Sequence, residues 1–297
     1  MSLTSFLKDP DNQEVRDYLK TKFARPKFTL KSEIKAPQLT NNYGVVGNAF
    51  DYLFRAKLKH INPAKEFIES GWVASMGFKT LHNIYKKKEA SQKLAMIEKK
   101  FESSKQDFEE YIKTGEPTDS LISNAIFFGK LDLIFRAAYI DSDYENCSSL
   151  DIADIKAMLR LIEPNQFQVK ERCWLNPAFV ASHIVGGADG DFIIDDTLID
   201  IKTTKHLELS RSDLNQIICY YILSLMGGVS SKEKDIPLKN IGIYYARFGL
   251  LYTFPISEIA SEEVVHNFKN WWFAYCREDG ITYDNLNLLL SIVGVKS

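Results

Sequence analysis

Along the chain, the spacing of hydrophobic positions changes near the middle. Over 46–60, Phe50, Leu53, Phe54 and Leu58 recur at helical spacing, which predicts a helix. Pro63 interrupts it, and helix is expected to resume over 64–76. Residues 77–113 read as one or two long charged helices. Leu94, Ile97, Phe101, Phe108 and Tyr111 form their apolar stripe, and Gly115 and Pro117 stop them. An aromatic-rich helix is expected over 118–140, then a polar loop over 141–149. Ahead of these elements, residues 1–40 are polar and carry Pro10, Pro26 and Pro37. One short helix over 11–23 and an extended arm are expected there.

From Phe167 onward the period moves toward two, as in strands. A strand is expected over 167–173. Segments 184–194 and 197–203 read as a hairpin around Asp195-Asp196, and 241–247 with 250–254 as a second one turning at Phe248-Gly249. Between them, 209–226 reads as a helix. Ser210-Arg211-Ser212-Asp213 approximates a capping box at its start, and Gly227-Gly228 ends it. Residues 256–278 are amphipathic and helical. The expected layout is a mainly helical region, 1–160, packed on an α/β region, 161–297. No Gly/Ser/Pro-rich linker separates them, so one compact unit is expected.

Composition narrows the class. The 297 residues are 45% hydrophobic and 12% aromatic, enough to bury a core and too apolar for a disordered chain. Lys plus Arg total 37 against 39 Asp plus Glu, a net charge of −2. A protein basic throughout is excluded, while a local basic groove is not. Lys8, Asp9 and Asp11 stand where the apolar part of a secretion signal would lie. No run approaches the ~20 apolar residues that span a bilayer, so no membrane association is expected. Cys147, Cys173, Cys219 and Cys276 are far apart with no C-x-x-C pair. Neither zinc nor an iron–sulfur cluster is expected, and reduced thiols suit a cytoplasmic protein.

The chemistry concentrates in Gly186-Gly187-Ala188-Asp189-Gly190-Asp191 and the hairpin after it. Aspartate is depleted in strands. Asp195 and Asp196 are accounted for by the turn, but Asp200 sits inside the apolar run Leu198-Ile199-Asp200-Ile201-Lys202. Strand alternation puts Asp200 and Lys202 on one face. A two-residue loop at Asp195-Asp196 sets Asp191 opposite Asp200, with Cβ atoms ~4.5–5.5 Å apart. The same register sets Asp189 opposite Lys202, as its partner or as a group supporting the metal ligands. A longer loop would exchange the roles of Asp189 and Asp191. Facing carboxylates repel, and a hard divalent cation, Mg²⁺ with Mn²⁺ as substitute, removes the repulsion. The carbonyl of Ile201 can add a ligand. Lys202 can orient a water or stabilise charge developing on phosphorus.

Asp191 followed by Asp200-Ile201-Lys202 resembles the PD-(D/E)XK nuclease superfamily. Gln216 and Tyr220, one turn apart on the next helix, are similar to the Q-x-x-x-Y motif of its RecB-like branch. The resemblance covers about residues 184–225. It implies an α/β fold with a restriction-endonuclease-like core, a central mixed β-sheet flanked by helices, and Mg²⁺-dependent hydrolysis of DNA. It implies that Gln216 and Tyr220 border the active site and contact DNA. The segment from Gly47 to Arg55 resembles the family's upstream helix, with Asp51 where a metal-binding histidine is expected. Asp51 is either a further ligand or the i+4 partner of Arg55. No helicase-type P-loop is present, so a motor partner would be a separate chain.

Other positions have plainer readings. Lys205, His206 and Arg211 are solvated loop residues or, alternatively, phosphate contacts. Lys86-Lys87-Lys88 with Lys93, Lys99 and Lys100 alternate with Glu89, Glu98 and Glu102, as on a solvated helix face. Trp271, Trp272 and Phe273 are expected in the core, and His183 as a structural histidine. Two rival functions remain: a non-catalytic nucleic-acid-binding or assembly subunit that retains the fold, and a metal-dependent phosphoesterase acting on small nucleotides.

Overall fold

The computed structural model describes residues 2–87, 90–137, 139–140, 146–229 and 236–278. Lys88 and Glu89 of the lysine-rich run, the stretch 141–145 of the polar loop, and residues 279–297 of the expected α/β region lie outside them. The protein is α/β, with a six-stranded mixed sheet in sequential order flanked by helices on both faces. The strands are β1 (Glu66–Glu69), β2 (Arg172–Leu175), β3 (Phe192–Ile194), β4 (Thr197–Lys202), β5 (Asn240–Tyr245) and β6 (Leu250–Pro255). β1 pairs with β2 and β4 with β5 in parallel, and the other neighbours are antiparallel.

Strand alternation divides the core in two. Cys173, Leu175, Phe192, Ile194, Ile199 and Tyr244 face the layer of α3 (Tyr43–Ile61), α4 (Val73–Lys87), α5 (Ser91–Thr114), α6 (Asp119–Ala137) and α7 (Ser149–Leu159). Trp174, Ile193, Leu198, Ile241, Ile243 and Tyr245 face the other layer. That layer joins α8 (Arg211–Gly227) and α9 (Glu262–Glu278) to two helices from the start of the chain, α1 (Leu3–Lys8) and α2 (Gln13–Lys22). Phe6 packs on Trp272 and Tyr18 stacks on Trp271, so these tryptophans are core groups. The arm after α2 crosses the C-terminal elements, with Lys35 and Ala36 both donating to the Arg247 carbonyl. Among the described residues no helix is long and apolar enough to cross a membrane.

Several expectations change. The strand expected over 167–173 is β2, which starts only at Arg172 after a 3-10 turn at Pro164–Phe167, and Leu3–Lys8 is helical where extended chain is expected. Residues 66–69 form β1, not helix. Glu66-Phe67-Ile68-Glu69 fits either period over so short a span, and pairing with β2 decides it. The first hairpin arm is far shorter than 184–194. A 3-10 turn occupies Val180–Val185, and Gly186 (φ 76) and Gly187 (φ 119) turn the chain before β3 begins at Phe192. Helix α7 follows the polar loop unannounced, capped by Ser148, whose side chain accepts from Leu150 N.

Close helix contact sets one wall of the site. A Cβ added at Gly129 would fall 2.9 Å from the Val45 carbonyl oxygen, and one at Gly77 2.0 Å from that of Leu131. Only glycine lets α3 and α4 approach α6 this nearly. Tyr52 of α3 thereby reaches Asp132 of α6, its hydroxyl donating at 2.7 Å.

Candidate active site

β4 delivers Asp200 and Lys202 to the α8 face of the sheet, and Asp200 is buried there. Lys202 Nζ lies 2.9 Å from Asp200 Oδ2 and 3.4 Å from Asp213 Oδ1, and donates to Gln216 Oε1 at 2.8 Å. An ammonium only donates, so this contact fixes the Gln216 amide with its oxygen toward Lys202. Gln216 Nε2 then donates to Tyr220 Oη at 2.9 Å and to Thr4 Oγ1 of α1 at 3.3 Å. The helix holding this row starts cleanly because Ser210 Oγ accepts from Asp213 N at 3.0 Å.

Asp191 lies one residue before β3. The ladder pairs Ile194 with Thr197 and Phe192 with Ile199. That is the register a two-residue loop dictates; the ladder ends at Phe192–Ile199, and Asp191, the next residue out, is near enough to Asp200 for their charges to repel. One carboxylate oxygen of Asp191 accepts from Ile201 N. In an extended strand a residue's N–H and C=O lie along the same edge, so the Ile201 carbonyl points the same way. Asp189 does not meet Lys202. Beyond the ladder Gly190 donates to the Pro177 carbonyl, and Asp189 bridges to Ala178. Its carboxylate instead holds Arg136 of α6 through two bonds, 3.1 and 2.5 Å. Asp51 pairs with Arg55 at 2.5 Å, the i+4 alternative. Its other oxygen, Oδ1, is buried without a hydrogen-bond partner among the described residues.

A cleft of about 950 Å³ opens over these groups. Asp51, Asp189, Asp191, Ile201 and Tyr220 line it, together with residues 2–5 of the α1 segment and the ends of α3 and α6. Asp200, Lys202 and Gln216 sit behind this lining and reach it through Asp191 and Tyr220. Arg211 is removed from the nucleic-acid contacts. Its guanidinium donates to the carbonyls of Phe23 (3.1 Å) and Leu19, closing the C-terminus of α2. Lys205 is exposed in the loop leading to α8 and does not line the cleft. His183 Nδ1 contacts the Val180 carbonyl at 3.1 Å, a structural role. Arg136, Asp132 and Thr4 belong to the site and carry no motif. They come from distant segments, so no spacing along the chain could have announced them, whereas Asp213 lies in the capping segment beside Gln216 and reads there only as a helix start.

The electrostatics follow from crowding. Burial pushes the Asp191 carboxyl well above the usual range, and the charges of Asp200 and Asp51 push it further. Asp200 is raised by burial, with Lys202 opposing. Burial works to lower Lys202, but Asp200 and Asp213 hold it above its ordinary value, so it stays charged. Burial and three nearby aspartates raise Tyr220, which stays protonated.

Burial also lifts Asp132 to about 6, against the hydrogen bond from Tyr52. Folded Asp132 therefore keeps its proton up to about pH 6, and the unfolded chain only to about 3.8. Between those values the folded state binds more protons, so this contribution is full below 3.8 and is lost as pH rises through 6. It is worth on the order of 3 kcal/mol. Asp132→Asn, whose oxygen can still accept from Tyr52, is expected to gain stability on wild type as pH rises from 4 to 7. Urea unfolding at both ends of that window checks it, and a constant difference would rule it out.

Among the described residues, no group of three or more His, Cys, Asp or Glu side chains is placed to hold a metal ion. Magnesium, however, is commonly bound through one or two carboxylates with water completing its shell. The pair Asp191 and Asp200 with the Ile201 carbonyl fits that requirement, and the unpartnered Asp51 Oδ1 lines the same cleft. No protein-family model matches this chain, and neither a curated protein nor a solved structure does.

Proposed function

We propose that the protein is a metal-dependent nuclease that hydrolyses DNA phosphodiester bonds, with a PD-(D/E)XK core of the RecB-like type. One observation carries the reading. Asp200, Lys202, Gln216 and Tyr220 form a continuous polar row that ends at the cleft, with the Asp191 carboxylate close to its first member. A plain ion pair at a strand end has no need of the second carboxylate or of the aligned glutamine and tyrosine.

Asp191, Asp200 and the Ile201 carbonyl would hold Mg²⁺, or Mn²⁺ in its place, with Asp51 Oδ1 within the same cleft. When bound, such an ion lowers the pKa of a water and offsets charge on the phosphoryl oxygens. Lys202 keeps a positive charge beside Asp200 and fixes Gln216. Because Gln216 donates to Tyr220 Oη, the tyrosine's own proton is left to donate to a phosphate oxygen in the cleft.

Digestion of plasmid and labelled oligonucleotides with Mg²⁺, Mn²⁺ or EDTA tests the proposal. Cleavage that requires the metal supports it. DNA binding without cleavage would favour a non-catalytic subunit, and hydrolysis of mononucleotides alone a small-nucleotide phosphoesterase. Metal assignment has a readout independent of activity. Mn²⁺ at about a hundred times its Kd should stabilise the wild type by about 2.7 kcal/mol. Asp191→Asn is expected to abolish that gain and Asp189→Asn to retain it. The reverse pattern in thermal melts would transfer the ligand role to Asp189.

A further inference from the structure

Two large aromatic side chains line the cleft and remain exposed: Tyr43, 57% exposed, in the first turn of α3, and Phe135, 50% exposed, in the last turn of α6. Burying rings is a main source of folding energy, and this chain buries most of its aromatic residues. Leaving these two open on the wall that carries Asp51 calls for a ligand with flat apolar faces.

Their placement is specific. Tyr43 is eight residues before Asp51 on α3, about 12 Å along the helix axis. Phe135 is one turn beyond Asp132, which Tyr52 grips beside Asp51. Both rings and Asp51 line the same cleft, Tyr43 from the start of α3 and Phe135 from the end of α6. Tyr43 is also oriented in advance, since its hydroxyl donates to Asn41 Oδ1 at 2.8 Å while the ring stays open. Phe135 sits next to Arg136, which Asp189 holds in place.

We infer that Tyr43 and Phe135 are base-stacking residues that make unpaired nucleotides the preferred substrate; this rests on the nuclease reading above. In a duplex the faces of the bases are covered by their neighbours. In a single strand they are open to aromatic side chains, and stacking there is indifferent to sequence because every base has a π-face. A strand running along the wall places one base on each ring and a phosphate between them, facing Asp51 and Asp191. The specificity is thus for strand form and not for sequence.

The test compares a single-stranded oligonucleotide with a duplex of the same sequence, using the full chain, Ca²⁺ for binding and Mn²⁺ for cleavage. Anisotropy reads affinity, and 2-aminopurine in the strand reads stacking through its quenching. The wild type is expected to favour the single strand and to quench the probe. Tyr43→Leu and Phe135→Leu should each weaken single-strand binding roughly 5- to 100-fold. Both should lose quenching and shift the single-strand to duplex ratio toward one. Phe135→Trp should restore it. If the wild type cuts DNA but the leucine variants keep its affinity, ratio and quenching, the inference is wrong and the nuclease reading stands. If the wild type neither binds nor cuts either DNA, both fall.

Discussion

Lys202→Ala is expected to lower DNA cleavage about a thousandfold, the scale found when a group aimed at developing charge is removed. Two effects combine. The charge beside Asp200 disappears, and Gln216 loses the contact that orients it, so Tyr220 no longer presents its proton reliably. The same change leaves Asp200 and Asp213 without their shared counter-charge. Stability should fall by on the order of 2–3 kcal/mol, less than for a fully buried pair because Lys202 is partly exposed. Single-turnover cleavage of a labelled oligonucleotide, with circular dichroism at the same temperature, separates the effects. Wild-type turnover in a folded variant would remove Lys202 from the chemistry. Should Lys202→Ala fail to fold, Asp213→Asn gives the second measure. It disturbs the 3.4 Å contact with Lys202 and the bond from Ser210 Oγ to Asp213 Oδ2, and should slow cleavage modestly.

Much of this site was legible in the sequence because it is local. A hairpin with a two-residue loop has one register, and the ladder from Ile194–Thr197 to Phe192–Ile199 follows it. Gln216 and Tyr220 share a face through helical geometry alone, and they bond each other. The reasoning failed where chain separation is large. Asp189 belonged to the same arithmetic, but the ladder ends at Phe192, Gly190 turns to the Pro177 carbonyl, and a helix more than fifty residues earlier supplies Arg136. Arg211 read as a solvated loop residue or, alternatively, as a phosphate contact, yet its guanidinium serves the end of α2. β1 was missed because four residues cannot distinguish the two periods without knowledge of the partner strand. The two-layer core was half visible. Apolar spacing predicted most helices, but nothing local placed α1 and α2 on the opposite face of the sheet from α3 to α7.

The largest stability effect is expected at Asp154. This α7 carboxylate and Arg247, just after β5, form a fully buried pair through two bonds of 2.6 and 3.0 Å. Arg247 also donates to the Thr203 carbonyl at 2.8 Å and to that of Ala36 at 3.2 Å. One guanidinium thus ties α7, the end of β4 and the N-terminal arm. Asp154→Ala strands its charge in the core, and a loss of about 3–5 kcal/mol is expected in urea unfolding. Thr203 follows Lys202 directly, so cleavage should fall as well. Asp154→Leu combined with Arg247→Met removes both charges and should recover most of the stability, because apolar groups replace a buried pair at little cost. It should not recover it all, since the Thr203 and Ala36 carbonyls lose their donor. Nor should it recover full cleavage, since nothing then holds the end of β4. A loss under 1 kcal/mol in Asp154→Ala, or a double variant no more stable than the single, would show that the pair does not clamp α7 to the strand that carries Asp200 and Lys202.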